Sequence, residues 1–460
     1  MRLLVLAAVL APAVVHAAPD LTKAQTDRID AATNQTLQLT GVPGASVAVV
    51  KDGKIVYVQA YGLARISPPE KVTTTMPFPI GSVSKQFTAA MILLLQQDGK
   101  LTLDDKVGKY LPELTQANDV TIRQILSHTA GYQDFWPEDY SPLAFAHPTT
   151  PKALVDQWAE KKLDFPPGTA WQYSNTGYAI AALIVQQAGG APFFEQLQKR
   201  ILQPLDMDHA ADYDAHGVPK GGPVGYERYA FATPRPAPLD QPGWSFGSGG
   251  LAMPASDLAR WDISVMNRSL LAPASYDALE TEIKLKNGQG TGYGLGVQVG
   301  SKSGHRYIEH SCEETGFVTE NVVYPDDHAA IVVLTNQDAS RAAGVIARQI
   351  TPVAFGIPAV DSKDPKVGAV LAMLADLAQG KVDTDRLNAN AQSYFTAPVV
   401  ADYHSSLARL GPPLAARERA HEDRGGMVFH AYEITYPGRT VTVTTYEEPG
   451  GKLDQFLIVP

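Results

Sequence analysis

The sequence predicts a mixed α/β body followed by a smaller α+β domain. Two strand-like runs near the start (residues 44–64) are answered by strand-like runs at 291–336, with helix and loop patterns between them. Beyond residue 366, amphipathic helices precede alternating strands, the order of a separate α+β unit. At 460 residues the chain is about three times the usual single-domain length, which suits two domains or one large composite fold. Hydrophobic residues make up 45% and charged residues 19%, enough to bury a large core. A net charge of −10 argues against a nucleic-acid binder, which wants a basic face. The single cysteine, Cys312, excludes an intramolecular disulfide and a multi-cysteine zinc site.

In order along the chain, Met1-Arg2 precedes an apolar run from Leu3 to Val15 and the small-residue stretch Ala17-Ala18. That is the pattern of a signal peptide, with cleavage expected after Ala17. The apolar run is shorter than the roughly 20 residues a membrane span needs, and no later segment is apolar enough. The expected product is periplasmic or secreted, with no integral membrane segment after signal removal. Residues 44–64, GASVAVVKDGKIVYVQAYGLA, read as a hairpin turning at Asp52-Gly53. Residues 82–97, SVSKQFTAAMILLLQQ, are apolar nearly all round and read as a buried central helix. Residues 101–270 read mostly as helices and loops. GYGLGVQV, TGFVTENVVYP and AAIVVLTN read as successive antiparallel strands. The expected division is a signal peptide at 1–17, a main domain at 18–352, a linker at 353–365 and an α+β domain at 366–460. In the last, helices near 366–379, 384–394 and 397–410 lead into three strands.

One motif is a decoy. Gly243-Trp244-Ser245-Phe246-Gly247 matches the nucleophile elbow of α/β-hydrolases, but neither a strand before it nor a helix after it is predicted. A Gly-rich loop fits better.

Ser82-Val83-Ser84-Lys85 is the sole Ser-x-x-Lys. Residues three apart share a helix face, so the lysine amine can reach the serine hydroxyl. A neutral lysine can take the proton that a serine must lose to attack, and burial favours the neutral amine. The bland alternative is a serine cap beside a surface lysine; the apolar run after Lys85 speaks against it. Tyr173-Ser174-Asn175 follows a Pro-Pro-Gly break. Tyr173 could serve as base or proton shuttle, and Asn175 could hold the lysine or a substrate amide. Each could equally be structural. His310-Ser311-Cys312-Glu313 lies on the edge of the returning strands, where a backbone N–H could complete an oxyanion hole with that of Ser82. His128 suits a structural role at a helix end. The eleven histidines show no metal-binding spacing, so no metal and no cofactor are expected.

Taken together these sites resemble the serine β-lactamase-like hydrolases: class C β-lactamases, D-Ala-D-Ala carboxypeptidases and related esterases. The resemblance runs in order through PFPIGSVSKQFTAAMILLLQQDGKLTLDD, TIRQILSHTAGY, FPPGTAWQYSNTGYAIAALIV, GSGGLAMPASDLARW and TGYGLGVQV, over about residues 25–350. It implies a sandwich of an antiparallel sheet with flanking helices beside an all-helical lobe, with the site between them. It implies Ser82 as the acylated nucleophile, Lys85 and Tyr173 as the base system, and Asn175 as a substrate-positioning residue. His310 stands where the family has Lys-Thr-Gly or His-x-Gly. The last 95 residues more weakly resemble the cystatin-like cone domains appended to such hydrolases.

The family's third motif ends in glycine, and Cys312 stands there instead. Strand alternation puts positions 310 and 312 on one face, towards the site. A sulfur near Ser82 is expected to be reachable by small alkylating agents and to narrow the site or weaken the catalyst. Glu313 occupies the oxyanion-donor position, where its backbone N–H can still donate. A neutral histidine at 310 is a poorer carboxylate partner than a permanent cation. The expected activity is therefore that of an esterase or peptidase acting on a small-molecule or peptide substrate. The runner-up is a β-lactamase or penicillin-binding D-peptidase. From another class, Cys312 favours a catalytically weak binding protein for peptidoglycan fragments or acyl ligands.

Overall fold

Strand β1 (Gly44–Lys51) is built from small and β-branched residues and is buried along nearly its whole length. It is the kind of strand that sits inside a sheet covered on both faces. It turns through Asp52 and Gly53, whose φ values of 51° and 70° are the left-handed geometry a tight hairpin requires. β2 (Lys54–Arg65) follows, with β3 (Glu70–Lys71) at its far edge. The remaining strands come from much later in the chain: β4 (Gln298–Lys302), β5 (His305–Glu314), β6 (Phe317–Tyr324) and β7 (Ala329–Thr335). They complete a seven-stranded sheet in the order β3-β2-β1-β7-β6-β5-β4, every pair antiparallel. This computed structural model describes residues 21–137, 141–228, 232–302, 304–355, 364–424, 427–436 and 439–459.

Alternation along β1 and β7 divides the core into two layers. Val47, Val49, Ile331 and Val333 face helix α1 (Lys23–Thr40) and the helix Ala342–Ala354. Ala48, Val50, Val332 and Leu334 face the helical side, with Trp261 and helix α2 (Ser84–Gln97). Every residue of α2 from Ser84 to Leu95 is buried, and α2 packs on the helix Asn175–Gly189. The sheet-and-helix sandwich and the helical lobe are those the resemblance implies.

A polar chain runs through this core. Trp261 Nε1–H donates to Gln86 Oε1 (2.9 Å), and Gln86 Nε2–H donates to Asn321 Oδ1 (3.0 Å). Asn321 Nδ2–H reaches both oxygens of Asp262 (2.9 and 2.8 Å). Burial pushes the Asp262 carboxyl well up. Asn321→Leu would strand the Asp262 carboxyl and one Gln86 donor, each costing about 1–3 kcal/mol. A stability loss of roughly 3 kcal/mol is expected in urea unfolding, and a loss under 1 kcal/mol would show that the chain is not a tie between α2 and the sheet.

Four further strands form a separate antiparallel sheet: Ala415–Arg424, Met427–Tyr436, Arg439–Glu447 and Leu453–Val459. The helices Pro365–Ala378 and Ala397–Leu407 contribute Val370, Leu374, Leu377 and Leu407 to its core.

Several expectations shift. GYGLGVQV is mostly bends, with Gly292 and Gly296 at left-handed φ, and strand structure begins only at Gln298. The helix Ala342–Ala354 runs past the expected linker start at 353, carrying Pro352 inside it. The expected signal peptide at 1–17 lies outside the described residues, as does most of the expected linker at 353–365.

Candidate active site

The peptide enters α2 through a 3₁₀ turn at Gly81–Val83, and Gly81 takes φ +43°. A Cβ at Gly81 would stand 1.9 Å from Cys312 Sγ, so only glycine fits against β5 here. The turn presents Ser82 to a cavity of about 460 Å³, which Tyr173, Asn175, His310 and Glu314 also line.

Lys85 follows one turn later and is fully buried. Its Nζ lies 2.7 Å from Asn175 Oδ1, 2.9 Å from the Ser248 carbonyl and 3.1 Å from Ser82 Oγ. Burial pulls its pKa down to about 7, against the opposing pull of Asp134, Cys312 and Glu314. A neutral amine has two N–H groups and one lone pair. The two acceptors take the N–H groups, which leaves the lone pair for the Ser82 hydroxyl. Asn175 is itself oriented: its backbone N–H (2.9 Å) and its Nδ2–H (3.3 Å) both donate to Asp134. Asp134 is buried and held near 6, burial raising it and these hydrogen bonds with Lys85 lowering it.

The Tyr173 hydroxyl donates to Ser82 Oγ at 2.8 Å. Burial pushes its pKa well above the usual tyrosine value, so it keeps its proton. Its ring lies against His128, with centroids 4.4 Å apart. Ser174 N–H donates to His128 Nδ1 (3.1 Å), so the His128 proton is on Nε2, 3.2 Å from the Tyr293 hydroxyl. Tyr293 in turn lies 3.0 Å from His310 Nε2, while His310 Nδ1 faces the Ser311 carbonyl at 2.7 Å. Protons therefore run His128 to Tyr293 to His310, and both imidazoles are neutral. Burial and Lys85 hold His310 down at about 3.

Along β5, Ile308, His310, Cys312 and Glu314 are buried while Ser311 and Glu313 are exposed. Pairing with β4 stops at Glu309, so residues 310–314 have the Gly81–Val83 turn beside them instead. Cys312 faces that turn, and the Ser82 N–H is close enough to favour its thiolate, although burial dominates and pushes the thiol well up. At 3% exposure the sulfur is not the reachable thiol that strand alternation suggested. The Glu313 carboxylate accepts from Ala339 N–H at 2.6 Å. Ser245, the decoy serine, sits in a run of turns, and its hydroxyl donates to Glu314 Oε1 at 2.8 Å.

Ser82, Tyr173, Asn175, His310 and Glu313 line one cavity, while Lys85 and Cys312 are buried behind it, Lys85 against Ser82 Oγ and Cys312 against Gly81. Sequence reasoning missed Asp134, Tyr293 and Glu314. Asp134 carries no motif of its own, although it lies just beyond the TIRQILSHTAGY segment; Glu314 was hidden by its neighbour Glu313. Among the described residues no group of His, Cys, Asp or Glu is arranged to hold a metal ion. No helix there is long and apolar enough to cross a membrane.

A family model described as "Beta-lactamase" matches residues 29–354. Penicillin-binding protein 4* of Bacillus subtilis (strain 168) is 28% identical over 308 residues, 64% of this chain and 68% of that protein. A D-aminopeptidase of Gluconobacter oxydans (strain 621H) is 28% identical over 324 residues, 69% of this chain but only 59% of its own length. Among solved structures, a class C beta-lactamase is 25% identical with TM-score 0.60, covering 71% of this chain and 95% of that one. The octameric penicillin-binding protein homologue from Pyrococcus abyssi shares the fold over 95% of this chain and 100% of its own, at TM-score 0.63 and 19% identity.

Proposed function

Because the chain belongs to the β-lactamase family, we propose that it is a serine hydrolase that cleaves an ester or amide through an acyl-enzyme on Ser82, as an esterase or peptidase. The observation that carries this is Ser82 Oγ held between Lys85 Nζ at 3.1 Å and the Tyr173 hydroxyl at 2.8 Å. Lys85 takes the serine proton as Oγ attacks the carbonyl carbon. The N–H groups of Ser82 and Glu313 are the donors for the oxygen that gains charge. Tyr173, still protonated, carries a proton to the departing group, and Lys85 supplies its replacement. Water then repeats the sequence on the acyl-enzyme. Asn175 holds Lys85 in place and, through Asp134, is itself held.

A β-lactam or a D-Ala-terminated peptide brings a carboxylate beside the bond to be broken. Here His310 is neutral, no lysine or arginine is among the described residues that line the cavity, and Asp134, Glu313, Glu314 and Asp338 are. That lining opposes the runner-up activity. The thiol against the Ser82 N–H favours a second reading, a weak catalyst that binds acyl ligands. Export rests on the residue 1–18 pattern alone.

Parallel labelling with a fluorophosphonate and a fluorescent penicillin tests this. One fluorophosphonate adduct is expected by intact mass, absent in Ser82→Ala, with little penicillin adduct. An adduct that survives Ser82→Ala, or maps to Ser245, would overturn the assignment.

A further inference from the structure

Building on Ser82 as the acylated residue, we propose that the cavity takes substrates carrying a protonated amine near the scissile carbonyl, with the buried Glu314 carboxylate as the receptor for that ammonium.

Glu314 ends β5 on its buried face and is 3% exposed, yet it lines the cavity. Oε1 accepts the Ser245 hydroxyl, and among the described residues no hydrogen bond reaches Oε2. A Cβ on either Gly81 or Gly249 would stand 3.0 Å from Oε2. These glycines immediately precede Ser82 and follow Ser248, the residue whose carbonyl holds Lys85. Oε2 therefore lies against the two glycine backbones, one residue from the nucleophile, and a side chain at either glycine would crowd it.

The other acids around the cavity are already engaged. Asp134 accepts from Asn175 and Trp136, Glu313 accepts from Ala339, Asp338 accepts from Gly316, and Asp240 accepts from Thr315. Lys85 does not serve as the counter-charge, because Ser82, Asn175 and Ser248 account for its amine. Burial and the nearby Asp240 and Asp214 hold the Glu314 carboxyl up at about 8, with Ser245 and Lys85 pulling the other way. Tyr213 and Cys312, both buried, also face it. A buried carboxyl in this state lacks a cation, and a substrate ammonium supplies one through a charge-assisted hydrogen bond in a low-dielectric site. The same acids repel a substrate carboxylate.

The test uses the full chain and five p-nitroanilides: L-alanine, D-alanine, propionyl, N-acetylalanine and succinyl. Alanine p-nitroanilide is expected to have a KM at least tenfold below the propionyl compound, and the succinyl compound the highest KM. Glu314→Gln should shrink the alanine-to-propionyl ratio in kcat/KM at least tenfold, mainly through KM. A succinyl preference, or an unchanged ratio in Glu314→Gln, overturns the inference. Calorimetric titration of the wild type with alaninamide and propionamide needs neither turnover nor the variant. Equal affinities there overturn it as well. Alaninamide binding without any fluorophosphonate adduct would instead count against the acyl-enzyme reading and leave the ammonium receptor standing.

Discussion

Lys85→Met lowers the rate of Ser82 acylation by about a hundredfold or more, the scale of a lost general base, and abolishes the rise of activity with pH through neutrality. The amine is productive only when unprotonated. With its pKa pulled down to about 7, wild-type acylation climbs as pH passes from below 7 to above it and then levels. The cause is burial: Lys85 is 0% exposed, and the nearby Asp134, Cys312 and Glu314 only partly offset the desolvation. Methionine keeps the length and apolar stem of the side chain but not the base. It leaves Asn175 Oδ1 and the Ser248 carbonyl without their partner, so a loss of thermal stability is not by itself informative. The rate of fluorophosphonate modification against pH is the measurement. Asp134→Asn provides the companion profile, because it keeps an acceptor for Asn175 but removes a charge that raises the Lys85 pKa. Its profile should shift to lower pH with a smaller rate loss. A near wild-type rate in Lys85→Met, or a profile unmoved in Asp134→Asn, would remove Lys85 from the base role.

What could be read in the sequence was whatever has a short-range pattern. The Asp52-Gly53 hairpin, the apolar run of α2 and the Ser-x-x-Lys at its mouth each depend on neighbours within a few residues. So did the shared facing of His310 and Cys312, which is a period of two. What escaped was long-range or weakly patterned. Helix α1 is capped by a Thr22–Gln25 box, but its buried apolar residues are only Ile29, Ala32 and Leu37. The strand Ala415–Arg424 is an edge strand whose side chains are mostly charged, Arg417 and Arg419 pairing with Glu433, so it shows no apolar alternation. The Tyr293 relay joins residues 165 and 17 positions apart, a closeness that only the folded sheet and helical lobe create. The thiol of Cys312 was placed on the correct face, but its burial depends on the close packing of Gly81, which strand periodicity does not contain.

That packing sets the second large effect: Cys312→Gly raises kcat/KM, by up to about a hundredfold. Cys312 Sγ lies 1.9 Å from where a Cβ on Gly81 would be, and the Ser82 N–H faces it. This N–H is one of the two donors assigned to the oxyanion. Removing one such donor from a hydrolase costs about a hundredfold to a thousandfold, so a thiol that competes for this donor would forfeit part of that range. Two causes could produce a gain, and acyl size separates them. If the sulfur competes for the N–H, acetyl and bulky acyl esters gain alike. If it only takes up volume, bulky esters gain about tenfold and acetyl esters little, since an off-rotamer Ser82 costs roughly 0.5–1.5 kcal/mol. Glycine in a strand also loosens the backbone by roughly 0.5–1 kcal/mol, so Cys312→Ala is the partner variant: it removes the sulfur and keeps the strand. The buried thiol itself should resist iodoacetamide in the native protein and react fully in urea, read by intact mass. Equal kcat/KM for both acyl sizes in wild type, Cys312→Ala and Cys312→Gly would show that the sulfur is a small hydrophobe in the core, and that the departure from glycine leaves the oxyanion site as the rest of the family has it.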